Sequence, residues 1–238
     1  MNTQDPEPRI LNALLQVHSI FHTIQGEGPF AGTPAVFIRL AGCNLKCPGC
    51  DTDYTSTRNH MALQDIVSKV CEAKGPMGGT RLVVITGGEP FRQEIGNLIN
   101  LLIKHSFYVQ IETNGTLPPP NDVQFSLNYS IREGAFVVCS PKTGSMNSKV
   151  SDVSCAFKYV ISADSVDPDD GLPTLALNHS ASPRVARPPI RNNKPVYLQP
   201  MDSGYSIKNS LNLNAAMKSC MERGYILQLQ IHKILGVE

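Results

Sequence analysis

Short runs of apolar, often β-branched residues recur along the chain and alternate with segments in which apolar residues return every three or four positions. The first pattern is typical of buried strands and the second of helices that pack on one face. We predict strands over residues 17–22, 35–41, 82–86, 108–112, 136–140, 157–162, 195–199 and 225–230. We predict helices over residues 63–74, 95–105 and 207–223, ended by Gly75, Ser106 and Gly224.

Strands that alternate with helices predict an α/β fold in which crossover helices cover a parallel sheet. Three helices are too few for a complete eight-unit barrel, so we expect an incomplete, partly open (β/α) barrel. We expect one domain over residues 1–238, with a polar extension at residues 1–13. Residues 165–194 are rich in Pro, Asp, Asn and Ser, which predicts an irregular surface excursion.

Charge and hydropathy exclude several classes of function. Lys and Arg total 21 against 20 acidic residues, and no long basic run is present, which argues against a nucleic-acid partner. The chain has no apolar run of membrane-spanning length and no signal-peptide pattern at its start. We therefore expect a cytoplasmic protein that makes no contact with a membrane.

Polar clusters follow almost every predicted strand. Because the carboxyl ends of parallel strands meet at one rim, we expect the clusters to converge there. They are Gln25-Gly26-Glu27-Gly28, the cysteine loop 42–50, Thr86-Gly87-Gly88-Glu89-Pro90, Glu112-Thr113-Asn114-Gly115, Ser140-Pro141-Lys142, Gln199-Pro200 and His232-Lys233.

Three cysteines in one loop are the strongest chemical signal. Cys43, Cys47 and Cys50 have the spacing C-x3-C-x2-C, which suits three corners of a 4Fe-4S cluster and leaves the fourth iron open to a small molecule. A zinc site completed by Asp51 or His60 is an alternative, as are cysteines that merely share a loop. The other cysteines are single, among apolar neighbours, and are expected to be buried thiols: Cys71, Cys139, Cys155 and Cys220.

The order of these motifs resembles a known family. The cysteine loop with Asp51-Thr52, followed about 40 residues later by Gly87-Gly88-Glu89-Pro90, is similar to the radical S-adenosylmethionine (SAM) superfamily. More narrowly, further segments resemble the 7-carboxy-7-deazaguanine synthase (QueE) family: Phe21 to Gly28, Phe37 to Leu40, Ser140 to Lys142 and Gln230 to Lys233. The match runs from about Ser19 to the C-terminus and is weakest over residues 143–194. The family usually has an aromatic residue where this chain has Gly49. The resemblance therefore does not supply an aromatic contact to the adenine side of the cofactor.

The resemblance implies a radical SAM fold and a lyase that converts 6-carboxy-5,6,7,8-tetrahydropterin into 7-carboxy-7-deazaguanine, with loss of ammonia, for queuosine or other 7-deazapurine biosynthesis. It implies a 4Fe-4S cluster, SAM and Mg²⁺, a flavodoxin or ferredoxin as reductant, and a homodimer. No side chain is expected to act as the catalyst, because the radical arises on SAM at the cluster.

The resemblance also assigns residues by position. It implies that Cys43, Cys47 and Cys50 bind the cluster and that Thr52 binds Mg²⁺. The residues implied to bind SAM are Gly88, Glu89, Ser140, Pro141, Lys142, Gln199 and Pro200. Those implied to bind the substrate are Ile24, Gln25, Gly26, Glu27, Arg39, Thr86, His232 and Glu238.

Each of these residues also has an ordinary structural explanation. Gly87-Gly88-Glu89-Pro90 alone is typical of a strand-to-helix turn, and Thr52 of a turn hydroxyl. Residues 25–27 suit a tight polar turn, Arg39 a structural ion pair and His232 a core or surface histidine. The rival functions are another radical SAM enzyme, such as a glycyl-radical activase, and a zinc-stabilised binding module. Metal analysis separates the zinc-stabilised binding module, which would contain zinc, from a radical SAM enzyme, which would contain iron and sulfide.

The chain's end is expected to close the pocket. The apolar side chains of Ile234, Leu235 and Val237 predict that the tail packs onto the barrel. The resemblance implies that this tail closes the pocket and that the terminal carboxylate of Glu238 accepts hydrogen bonds from the substrate, whereas a tail ordered by packing alone would leave its terminus in water.

Overall fold

The computed structural model describes residues 4–11, 14–75, 77–177, 184–189 and 193–237. Its strands are β1 (Leu15–Ile24), β2 (Pro34–Leu40), β3 (Asn59–Met61), β4 (Leu82–Gly87), β5 (Tyr108–Thr113), β6 (Ala135–Cys139), β7 (Ser154–Ile161), β8 (Val196–Pro200) and β9 (Ile226–Leu227). Its α-helices are α1 (Leu63–Ala73), α2 (Gly96–Lys104), α3 (Ser148–Val153), α4 (Ser206–Arg223) and α5 (Ile231–Leu235).

All nine strands belong to one sheet in the order β3-β1-β2-β4-β5-β6-β7-β8-β9. Strands β3 and β9 form its two edges and do not pair with each other, so the barrel is open. The prediction of an incomplete (β/α) barrel with few helices is confirmed.

The strand directions differ from the prediction at one edge. Strands β2 and β4 to β9 are parallel, but β1 runs antiparallel to both β2 and β3. Ile24 at the end of β1 pairs with Pro34 at the start of β2. The turn after β1 therefore begins at the end of the barrel where the parallel strands start, whereas the other polar clusters lie where those strands finish. The prediction that all strands end at one rim is wrong for β1. A turn of ten residues or fewer joins β1 to β2, and such a short connection suits antiparallel neighbours.

Alternation along the strands separates the two faces of the sheet. Residues of one parity pack against helices α1, α2 and α4 in the larger core, as Val83, Ile85 and Ile111 do. Residues of the other parity face the interior of the barrel. At its lower end this interior is apolar and includes Leu82 and Val84. Because side chains alternate between the two faces of a strand, one face of the sheet packs in the larger core and the other lines the interior of the barrel.

Phe30 closes the lower end of the interior. It lies in the loop between β1 and β2, and its ring centroid is 5.3 Å from those of Tyr108 and Phe136. With this end filled by aromatic rings, the polar side chains of the interior face the upper end, where the parallel strands finish.

The three predicted helices are confirmed within about one residue at their starts, and Gly224 adopts the left-handed conformation that ends α4. Three short elements were not predicted, namely β3, α3 and α5. The strand predicted over residues 225–230 is limited to β9, because the chain turns from it into α5. None of the described helices combines the length and apolar character that crossing a membrane requires.

Two segments differ from expectation in their burial. Within 165–194, the side chains of Leu172, Ala176 and Val185 are buried in the larger core, so this segment is not wholly on the surface. The tail behaves in the opposite way, since Ile234 and Leu235 are 70% and 56% exposed. The prediction that the tail packs onto the barrel is wrong for these two residues, because α5 turns their side chains outward.

Candidate active site

Two adjoining cavities open at the upper end of the interior. The first, of about 150 Å³, is lined by all three loop cysteines, and we call it the cysteine cavity. The second, of about 370 Å³, is lined by Arg39, Phe37 and His232, and we call it the arginine cavity. Residues common to both linings are Glu27, Asp51, Thr52, Thr86, Glu112, Lys158 and Gln230. Because the linings overlap, molecules bound in the two cavities would be in contact.

The cysteine loop leaves β2 and folds over the end of β4. The Gly42 amide donates to the Tyr54 carbonyl at 3.1 Å, and the Cys50 amide donates to the Cys47 carbonyl at 3.1 Å. All seven cysteines lie in the described residues and none forms a disulfide. Burial raises the pKa of Cys43 to about 12, so in the absence of a metal this side chain is a thiol.

The loop's donor set fits an iron–sulfur cluster better than a single ion. Cys43, Cys47 and Cys50 line one cavity, yet among the described residues no three Cys, His, Asp or Glu side chains are grouped as one bound metal ion requires. Asp51 lines the same cavity as the three cysteines, whereas His60 does not. A cubane cluster takes each thiolate on a different iron, which suits three sulfurs spread around a cavity wall.

The loop after β4 contacts the cysteine loop backbone to backbone. A Cβ added to Gly88 would lie 1.9 Å from the Gly42 carbonyl oxygen, so only glycine permits this approach. The Gly88 amide donates to the Leu40 carbonyl and the Glu89 amide to the Gly42 carbonyl, both at 3.1 Å. The two motifs of the sequence are thus one structural unit.

Glu89 is fully buried behind the wall of the cysteine cavity. Its carboxylate accepts hydrogen bonds from the Thr113 hydroxyl and the Asn114 amide, both at 2.7 Å, and from the Phe91 amide at 3.0 Å. Burial raises its pKa to about 7, against the lowering effect of these hydrogen bonds. Glu89 therefore joins the ends of β4 and β5, and it brings Asn114 to the cavity.

Polar side chains from three further strand ends line the cysteine cavity, namely Asn114, Ser140, Lys142 and Gln199. Asn114 Nδ2 donates to Asn44 Oδ1 at 2.9 Å and lies 3.9 Å from the Cys43 sulfur. Burial lowers the pKa of Lys142, whose ammonium donates to the Ser140 hydroxyl. Within the described part of the chain, the buried Gln199 Oε1 accepts no hydrogen bond. An unsatisfied buried acceptor in a cavity wall is a point at which a ligand would bind.

Pro141 and Pro200 are next to these residues in the chain, but they do not contribute to the cavity lining. Ile24, by contrast, lines the arginine cavity, as do Gln25 and Glu27.

A carboxylate at the end of β5 organises the interior. Glu112 accepts from Gln25 Nε2 at 3.1 Å, from the Thr86 hydroxyl at 3.1 Å and from Gln110 Nε2 at 2.9 Å. These donors come from the turn after β1, from β4 and from β5. Glu112 thus connects the turn after β1 to the central parallel strands, even though that turn begins at the other end of the barrel.

Glu27 and Lys158 form an ion pair inside the barrel. Gln230 Nε2 also donates to Glu27 at 2.8 Å. Burial works to raise the pKa of Glu27, but the charge and hydrogen bond of Lys158 outweigh it and lower the pKa. For Lys158, burial works to lower the pKa, and the charges of Glu27 and Glu112 raise it. Both groups are therefore charged at neutral pH.

Arg39 lies on the interior face of β2. Its guanidinium is stacked over the Phe21 ring at 5.0 Å, and Phe21 in turn stacks on Phe37 with centroids 5.4 Å apart. An aromatic face supports the plane of a guanidinium and leaves its edge for a carboxylate. Thr52 lines both cavities, and its hydroxyl donates to Asp51 Oδ1 at 3.4 Å.

His232 is brought to the arginine cavity by α5. A Cβ added to Gly26 would lie 1.9 Å from His232 Nδ1, so the absence of a side chain on Gly26 permits the contact. The Ile231 amide donates to the Gly26 carbonyl at 3.4 Å. The remaining predicted substrate residue, Glu238, lies outside the described residues.

Gly49 replaces the usual aromatic residue of the family, and its amide donates to the Leu177 carbonyl at 2.9 Å. Leu177 lines the cysteine cavity together with Gly49. The segment 165–177 thus forms part of the cavity wall beside the last two cysteines.

Two site residues had no predicted role. Lys158 was overlooked within a predicted strand, and Glu112 was placed in a polar cluster without a function. The sequence could have indicated them, because both occupy positions that face the barrel interior in the alternation of their strands, as do Arg39, Thr86 and Gln199. Charged or polar residues at such positions mark the lined part of the interior.

Comparison with known proteins identifies the family of this chain. Residues 37–132 match the family model of the radical SAM superfamily, which implies a 4Fe-4S cluster and SAM. The chain is 42% identical to the 7-carboxy-7-deazaguanine synthase of Rhodospirillum rubrum, over 94% of this chain and 92% of that protein. It is 39% identical to that of Rickettsia prowazekii, over 94% and 89%. The crystal structure of QueE from Escherichia coli has the same fold, with a TM-score of 0.65, 22% identity and coverage of 91% and 94%. The chain belongs to the 7-carboxy-7-deazaguanine synthase family of the radical SAM superfamily.

Proposed function

We propose that this enzyme converts 6-carboxy-5,6,7,8-tetrahydropterin into 7-carboxy-7-deazaguanine with loss of ammonia. The observation that carries the proposal is the overlap of the cysteine cavity with the arginine cavity. It brings a three-thiol cluster site within contact of a pocket lined by one guanidinium, four carboxylates and two ammonium groups. Family membership supports the same reaction.

In this proposal Cys43, Cys47 and Cys50 hold the cluster, and SAM lies in the cysteine cavity. When bound, these two groups supply the radical that takes a hydrogen atom from the substrate. Gly88 permits close approach of the backbone. Lys142 and Gln199 offer a donor and an unsatisfied acceptor to the cofactor, together with Ser140.

Glu89 acts mainly from behind the cavity wall. One of its oxygens accepts two protein hydrogen bonds, from Phe91 and Thr113, and the other accepts one, from Asn114. Glu89 is 0% exposed and lies outside both cavity linings, so in this proposal it contributes to the SAM site by holding Asn114 at the cavity wall. Pro141, which precedes Lys142, and Pro200, which follows Gln199, fix the backbone at these two strand ends.

The arginine cavity holds the pterin. Arg39, stacked on Phe21, pairs with the carboxylate of the substrate. The amide of Gln25 and the carboxylate of Glu27 recognise the amine and amide edge of the ring, with Ile24 and Thr86 in the wall. Gly26 contributes by leaving room for His232. His232 donates to the substrate from α5, and the terminal carboxylate of Glu238 accepts from its amine edge.

Mg²⁺ is proposed to bind between Thr52 and the substrate carboxylate. Thr52 lines both cavities, and the neighbouring carboxylate of Asp51 adds a second hard oxygen. The metal would neutralise negative charge where the cofactor and substrate meet.

We also propose that the enzyme is a homodimer reduced by a flavodoxin or ferredoxin. Exposed apolar side chains at the start of α4 and on α5 support an interface between copies, since Ile207 and Ile234 are 78% and 70% exposed. Lys233 of α5 pairs at 3.2 Å with Asp202 in the loop before α4, and Asp202 also accepts from Asn209 Nδ2 of α4 at 2.8 Å, so the two helices lie near each other. Light scattering at two protein concentrations tests the dimer.

The reaction is tested by anaerobic turnover of the carboxylated pterin with SAM, dithionite and Mg²⁺, with mass spectrometry of the product. Formation of the deazaguanine acid and of ammonia supports the proposal, and SAM should be regenerated. The Cys47→Ala variant is the matched control and should give no product. Zinc instead of iron and sulfide in the purified protein would favour the binding module, and a wild-type enzyme with a full cluster but no product would refute the substrate.

A further inference from the structure

The N-terminal segment 4–11 lies across the start of the cysteine loop. The Glu7 amide donates to the Cys43 carbonyl at 2.8 Å, and the Ile10 amide donates to the Arg92 carbonyl at 2.8 Å. The segment therefore bridges the loop that carries the first cysteine and the short turn 90–92 that follows Glu89. The sequence assigned no function to these residues.

Below this segment a guanidinium is entirely buried. Arg92 is 0% exposed. Its Nη2 donates to Gln16 Oε1 at 2.6 Å and to the Ala41 carbonyl at 3.0 Å, and its Nη1 lies 3.1 Å from a Glu7 oxygen. A buried charge requires a partner of opposite sign. Glu7 supplies that partner, which explains why a polar extension is held against the barrel.

Glu7 has a second cationic partner, Arg58. The distance between Arg58 Nη1 and Glu7 Oε2 is 2.9 Å. One carboxylate therefore faces two guanidinium groups, and the group of three has a net charge of about +1. Arg58 also donates to Gln4 at 2.9 Å, so this group includes the start of the described segment.

The group fixes the backbone around the first cysteine. The carbonyl of Ala41 accepts from Arg92 at 3.0 Å, that of Gly42 from the Glu89 amide at 3.1 Å and that of Cys43 from the Glu7 amide at 2.8 Å. Three consecutive carbonyls are thus held by two segments, the N-terminal segment 4–11 and residues 89–92. Two of the three donors belong to the ion pair of Glu7 and Arg92.

We propose that Glu7 and Arg92 are positioning residues for the cluster: they clamp the backbone at Cys43 and hold a buried positive charge beside the iron site. The clamp resists loss of the cluster, and the charge favours its reduced, more negative state. This proposal rests on the assignment of the cluster to Cys43, Cys47 and Cys50, and it is independent of the substrate.

The test uses the anaerobically purified, cluster-containing enzyme. Glu7→Gln and Arg92→Met are compared with Arg9→Met, a control in the same segment whose partner Glu94 is at the surface and 2.7 Å away. The first readout is the rate at which a ferrous chelator removes iron, followed by visible absorbance. The second is the midpoint potential of the cluster, from a redox titration monitored by electron paramagnetic resonance.

Loss of one member of a buried ion pair is expected to accelerate iron release at least about tenfold in both variants. The midpoint potential should move in opposite directions, more negative in Arg92→Met and more positive in Glu7→Gln, because one change removes a cation and the other an anion. General loosening of the loop would not produce opposite shifts. Arg9→Met should leave both readouts unchanged, and Glu7→Asp should restore part of the slow release.

Iron release at the wild-type rate in Glu7→Gln would overturn the clamp, and an unchanged or negative shift of its potential would overturn the role of the charge. If Arg92→Met does not fold, Glu7→Gln and Glu7→Asp decide the question alone. Both readouts need only the cluster. Failure of the turnover assay would therefore leave this test intact, and failure here would leave the proposed reaction intact.

Discussion

Replacing Lys158 with methionine should leave the Glu27 carboxylate buried without its cation. The two side chains are 11% and 12% exposed in the native pair, so water replaces the missing charge only in part. Methionine has a similar length and adds no new polar group. The variant therefore isolates the electrostatic contribution of the pair.

The expected magnitude follows from the burial of the pair. Removing one partner of a buried ion pair lowers the free energy of unfolding by about 3 to 5 kcal/mol. For a chain of this size that corresponds to a decrease in Tm of roughly 6 to 20 °C. Gln230 Nε2 still donates to Glu27 at 2.8 Å, which favours the lower part of that range.

The loss should depend on pH in a defined direction. In the wild type the pKa of Glu27 lies below its ordinary value of 4.5, so its stabilising effect is complete above pH 4.5 and is lost only as the pH falls further. In the variant, burial without Lys158 raises that pKa above 4.5. The folded variant then takes up a proton at a higher pH than the unfolded chain does, so its loss of stability should be smaller at pH 5.5 than at pH 8.

Thermal unfolding followed by circular dichroism at pH 8 and pH 5.5 measures the effect. Lys218→Met, at a side chain that is 74% exposed, is the matched control and should change Tm by less than about 2 °C. The double variant Glu27→Gln, Lys158→Met should lose the added pH dependence. A single variant as stable as the wild type, or one whose deficit is equal at both pH values, would refute the reasoning.

Three further predictions concern the proposed ligands. Cys47→Ala should abolish the visible absorbance of the cluster and cleavage of SAM, whereas Cys220→Ala should retain both; a normal cluster in Cys47→Ala would contradict the ligand assignment. Thr52→Ala should keep the cluster but require more Mg²⁺ for half-maximal turnover, and an unchanged Mg²⁺ titration would reduce Thr52 to a turn residue. Arg39→Ala should bind the pterin at least about thirtyfold more weakly in equilibrium dialysis, since truncating one member of a buried charge pair costs about 2 to 5 kcal/mol. Equal affinity would return Arg39 to a structural role, as a partner of Phe21.

The sequence alone determined the features that depend on local pattern. Short runs of apolar, often β-branched residues located every described strand except β3. The spacing of Cys43, Cys47 and Cys50 and the motif at Gly88 are likewise local, because each lies on one short loop. Helix α4 was predictable from its periodicity and from the glycine that ends it.

Only the tertiary structure decided how distant segments meet. Pattern does not specify strand direction, so the antiparallel course of β1 became visible only in its pairing with β2. Lys158 lies in a predicted strand, but its place inside the barrel and its partner Glu27, which is 131 residues away in the chain, became visible only in the structure. The contact of Glu7 with Arg92 likewise joins residues that are far apart in the chain. A buried charge requires a partner, and which partner it finds is decided by the packing of the whole chain.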